Sequence, residues 1–124
     1  MAISDDQELA QAVAQASHLV QQIQDYCGRA RREDSKINFP RGLIGTADSY
    51  RALCPDYLTA AQKSSVAYGY MYLDVIWWVL ARTDLSSIAK EMMIKSAIVT
   101  LGTILEAMLQ IPGHGIFDPA RRAQ

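Results

Sequence analysis

Prolines stand at positions 40, 55, 112 and 119 and nowhere else, which leaves residues 1–39 and 56–111 free of them. Proline inside a helix removes a hydrogen bond and clashes with the preceding turn, at about 3 kcal/mol, so its placement marks where long helices can run. Both free runs carry helical rather than alternating apolar spacing. The chain therefore reads as all-α.

The first run opens with Ser4-Asp5-Asp6-Gln7, a capping-box pattern that puts acids at the positive end of the helix dipole. Leu9, Val13, Ala16, Val20, Ile23, Cys27 and Ala30 then recur at steps of four and three. Gln11, Gln15, His18, Gln22 and Asp25 fall on another face, and Arg29, Arg31 and Arg32 gather at the far end. This predicts one amphipathic helix over about 5–32. Asn38-Phe39-Pro40-Arg41-Gly42 and Gly45 read as loop, followed by a short helix near 46–53. So long a crossover is unusual in a bundle, which makes it a candidate site.

Thr59-x-x-Gln62 offers a second capping box, opening a helix over about 57–82. Residues 66–80 are apolar on nearly every side, and only a strip of Lys63, Ala67, Tyr70 and Asp74 looks available to water. Such a helix should lie centrally in a bundle. A third long helix is expected over 84–110, with Ile94, Ala97, Ile98, Leu101, Ile104, Leu105 and Met108 on its core face. Lys95, Ser96, Thr100, Thr103, Glu106 and Gln110 lie opposite. The expected architecture is a single domain, an antiparallel bundle of three long helices plus one short helix in the first crossover.

Composition narrows the function classes. The net charge is −1 with half the residues hydrophobic, which argues against a disordered tail or a histone-like binder. Cys27 and Cys54 show no C-x-x-C spacing and read as buried thiols, with one disulfide between them as the alternative. The acidic N-terminus lacks the apolar core of a signal peptide, and the 66–80 stretch falls short of the roughly twenty residues a bilayer span needs. A cytoplasmic protein with no membrane partner is expected.

Chemistry-bearing groups are sparse. His18 on a polar face and His114 in a Pro-Gly turn have no Glu three residues before them, so no metal site is implied, and no cofactor motif is present. Asp74 stands alone in the most apolar helix and is a candidate buried carboxylate. Arg29, Arg31, Arg32, Lys36, Arg41 and Arg51 place half of all basic residues between positions 29 and 51. Arg29, Arg31, Arg32, Arg41 and Arg51 are thus candidate RNA or phosphate contacts, with Tyr50 and Tyr57 near enough in sequence to stack on bases. Tyr68, Tyr70, Tyr72, Trp77 and Trp78 are candidate interface residues, or the lining of a small-molecule pocket. Three helices can hardly cover so much apolar surface, which points to a homodimer or another protein partner.

Helix order, the Arg82-Thr83-Asp84 turn and the segment Lys95 to Leu109 with Glu106 resemble HEPN-type domains, across about half the chain. Those are small, often dimeric helical bundles of prokaryotic toxin–antitoxin and defence systems. Ribonucleases of that group carry Arg and, four to six residues on, His. Arg82 is followed by no histidine before His114, and no arginine precedes His18. The resemblance therefore implies a non-catalytic member. The excess of apolar helix surface and the missing catalytic groupings point to a self-associating interaction module, with HEPN-like RNA binding or cleavage through the 29–51 segment as the alternative and a small-molecule sensor with a pocket among Tyr68, Tyr72 and Trp77 as a third.

Overall fold

The computed structural model describes residues 2–110. Those residues are helical with no strand: α1 (Asp6–Cys27), a single 3-10 turn (Glu33–Ser35), α2 (Ala47–Arg51), α3 (Ala60–Arg82) and α4 (Ser87–Gln110). The all-α expectation holds, with three long helices and a short one in the crossover. The chain divides into two compact units, Met1–Phe39 and Pro40–Gln124, each of which is described by itself.

In the first unit α1 begins one residue later than its capping pattern suggested. Asp5, not Ser4, is the cap: its carboxylate accepts the Glu8 backbone N–H at 2.7 Å, and Glu8 Oε2 accepts the Ser4 backbone N–H at 2.9 Å. Two carboxylates spaced three apart make stronger caps for exposed N–H groups than a hydroxyl and an amide one residue earlier would. The helix ends earlier than expected because Gly28 takes φ +56° and donates its N–H to the Gln24 carbonyl. That left-handed stop favours glycine. Arg29, Arg31 and Arg32 consequently lie beyond the helix rather than on its last turn. Twenty-two residues give α1 a length of about 33 Å. None of its residues is buried, so the Leu9–Cys27 stripe expected in a bundle core is not core.

In the second unit α3 packs against α2 on one side and α4 on another. Thr59 and Gln62 form the expected capping box, with bonds of 3.2 and 2.9 Å. The core joins Cys54, Leu58, Val66 and Ile104, with Tyr70, Leu73, Ala107 and Met108 against them. Gly69 lets α4 approach closely: a methyl group there would stand 2.9 Å from Ile104 Cδ1 and Cγ1.

Two helical faces are turned from where hydropathy alone put them. Of the strip on α3 expected to meet water, Ala67 is fully buried and Tyr70 and Asp74 are half-buried. A small side chain at 67 admits a neighbour, and Tyr50 of α2 supplies Asp74 with the donor its carboxylate needs. On α4 the side chains turned inward are Ile104, which is buried, and Ala89, Met93, Ser96, Ala97, Thr100, Ala107 and Met108, which are half-buried. Small residues win this seam because they allow the backbones to come close, and hydroxyls do not oppose it when already bonded. Thr100 donates to the Ser96 carbonyl at 2.9 Å, and the Ser96 hydroxyl shares a 2.7 Å hydrogen bond with the Tyr72 hydroxyl.

Candidate functional site

The rotation of α4 exposes its large aliphatic side chains. Ile94, Ile98, Leu101 and Leu105, expected in the core, are 40%, 61%, 52% and 57% exposed, and Leu109 continues the row. Their spacing of four, three, four and four makes one continuous stripe about 22 Å long on a helix surface. Contiguous apolar patches of this kind commonly mark a binding surface. The same helix, over Ser87–Leu109, has a mean hydropathy of 1.6 in its most apolar window, of which 6% is buried, and is long enough to cross a bilayer.

The aromatic candidates on α3 are dispersed. Tyr68, Tyr72 and Trp77 are exposed, while Tyr70 and Trp78 are half-buried. Tyr72 reaches α4 through Ser96, Tyr70 packs on the core, and the Arg82 guanidinium lies 5.2 Å from the Trp77 ring centroid. A shallow groove does run between α3 and α4, lined by Ser65, Gly69, Val99, Thr100, Thr103 and Ile104, without Tyr68, Tyr72 or Trp77.

Asp74 is half-buried and engaged. Tyr50, itself buried, donates its hydroxyl to Asp74 Oδ2 at 2.5 Å and accepts the Gly45 backbone N–H at 3.3 Å. Donation to that carboxylate, together with burial, pushes the Tyr50 phenol above its ordinary range. The contact fastens α2 and the loop before it to α3. Ser64 is similarly occupied, accepting from Arg51 Nε at 3.1 Å.

The basic candidates fall into two groups. Arg29, Arg31 and Arg32 belong to the first unit, Arg41 and Arg51 to the second. Arg31 and Lys36 flank Glu33 at 3.1 and 2.6 Å, and the Arg32 guanidinium lies 5.7 Å from the Tyr26 ring centroid. Arg51 binds Asp48 at 2.7 Å. These pairs reduce the positive charge offered to a polyanion without cancelling it. His18 is exposed on α1, and His114 lies outside the described residues. Among the described residues no three His, Cys, Asp or Glu side chains gather as a metal would require. Cys27 is half-buried and Cys54 buried, both as free thiols.

Sequence reasoning recognised the α4 stripe but assigned it to the wrong side of the boundary between core and surface. The signal for the true seam was present in Ser65-x-x-x-Gly69 and Ser96-x-x-x-Thr100, small residues at one-turn spacing on the two facing helices. No protein-family model matches this chain, and no curated protein or solved structure does so either.

Proposed function

We propose that this chain is a non-catalytic helical interaction module that associates with a second copy of itself through the exposed stripe of α4. The observation that carries the proposal is the row Ile94, Ile98, Leu101 and Leu105, apolar and uncovered along one face. A stripe at steps of four and three can pack on its own two-fold mate, since residues of both copies interdigitate as ridges and grooves. The reactive side chains support a binding role over a catalytic one: Asp74 is held by Tyr50 and Ser64 by Arg51. Self-association also accords with the HEPN-like helix order, whose members are often dimeric.

The test is sedimentation of the full chain. A dimer at micromolar concentration whose association weakens about tenfold or more in Leu101→Glu, with helix content unchanged, is the expected result. A monomeric wild-type chain would end the proposal. So would uptake of the chain by phosphatidylcholine vesicles through α4, which would assign the stripe to a bilayer instead.

A further inference from the structure

Within its own unit helix α1 carries an apolar face that no other element covers, and its charges say what does. Leu9, Val13, Ala16, Val20, Ile23 and Cys27 follow each other at steps of four and three, the a and d positions of a coiled-coil heptad. Val13, Val20 and Cys27 fall at a, and Leu9, Ala16 and Ile23 at d. No residue of α1 is buried. Most of a helix's stability in a protein comes from packing its amphipathic face against another surface.

The two ends of the helix differ in sign. Asp5, Asp6 and Glu8 surround its start, and Arg29, Arg31 and Arg32 follow directly on its glycine stop. A parallel pair of such helices would set acids on acids and arginines on arginines. An antiparallel pair sets each acidic start beside the other's arginines. The same arrangement, centred on residue 18, opposes Leu9 with Cys27, Val13 with Ile23 and Ala16 with Val20. Every a position then faces a d position, and in each layer a larger side chain meets a smaller one. An open groove at the C-terminal end of α1, lined by Leu19, Ile23, Cys27, Arg32 and Ser35, lies where the second copy's Leu9 and preceding acids would arrive.

We infer that α1 pairs antiparallel with α1 of a second copy, the acidic start of each helix against the arginines that end the other. This rests on the self-association proposed above and adds a second contact, with a defined direction. Six matched layers and two sets of opposite charges select this partner over an unrelated helix.

Cysteine trapping reads the direction. In the full chain with an added oxidant, Leu9→Cys places a thiol opposite Cys27 of the second copy, so a covalent dimer should accumulate in L9C and vanish in L9C/C27S. Trapping in the wild type through Cys27 alone would mean a parallel pair and would overturn the inference, as would absence of trapping in L9C. Arg29→Glu, Arg31→Glu and Arg32→Glu together should weaken association about tenfold at low salt, with the difference shrinking as salt is added. Unchanged or tighter association of that triple variant would also overturn it, because a parallel pair gains nothing from those arginines. A chain that stays dimeric yet does not trap loses this pairing and keeps the α4 contact. A chain that traps in L9C while Leu101→Glu leaves its association strength unchanged shows the reverse.

Discussion

The Tyr50 hydroxyl donates to the Asp74 carboxylate across 2.5 Å, and through this bond a helix of five residues is fixed to one of twenty-three. Hydrogen bonds to charged groups contribute more than neutral ones, so Tyr50→Phe should cost about 1.5 kcal/mol of stability, read from urea unfolding at neutral pH. Asp74→Asn keeps an acceptor and should cost less.

The same bond sets an alkaline limit. The Tyr50 phenol titrates above its ordinary value of 10.0 because its neutral form donates to Asp74 and is buried. A raised folded-state value means that its stabilising contribution is complete below pH 10.0 and is lost as pH rises through that higher value. Wild-type stability should therefore fall relative to Tyr50→Phe above about pH 10, when thermal melts of the two are compared across the alkaline range.

Two glycines on the helix pair should respond oppositely to alanine. Alanine in a helix is favoured over glycine by about 1 kcal/mol, and at Gly102 no atom within 4 Å opposes the added methyl, so Gly102→Ala should raise the melting temperature. At Gly69 the methyl would meet Ile104 at 2.9 Å in a packed seam, where overpacking costs about 1–3 kcal/mol. Gly69→Ala should lower the melting temperature, and adding Ile104→Val should recover part of the loss.

The start of α1 is sensitive to acid. Glu8 is held below the ordinary carboxylate value of 4.5, chiefly by the Ser4 backbone N–H it accepts. That lowering stabilises the helix start above pH 4.5, and the benefit is lost as pH falls through the lower folded-state value. The Ser4 amide resonance should shift with the Glu8 titration, and Glu8→Gln should abolish that movement.

Much of the fold could be read from pattern. Proline spacing and apolar periodicity located the long helices, and the Thr59–Gln62 box marked the start of α3 because both partners are local. The strip holding Ala67 and Asp74 was misassigned because its neighbour comes from α2, through Tyr50, twenty-four positions away, and no local pattern encodes that meeting. The α4 stripe was misassigned for a related reason. Hydropathy ranks Ile98 and Leu101 above Ser96 and Thr100, yet close approach is decided by side-chain size and by whether a hydroxyl already has a partner. The arginines after Gly28 were placed on a helix because a glycine's φ is invisible to periodicity.

Thr100 and Thr103 both turn their hydroxyls back onto carbonyls of their own helix, at 2.9 and 3.0 Å. The wall they present to Gly69 is therefore chemically quiet, although its residue types are polar. Cohesion between the two helices therefore adds close steric fit at this wall to the apolar core that Val66 and Ile104 bury. Hydrophobic contacts weaken on cooling, whereas close-packed dispersion does not depend on that driving force. Cold should consequently loosen associations made by the aliphatic stripe of α4 sooner than it separates α3 from α4, leaving an intact helical hairpin as the unit that remains.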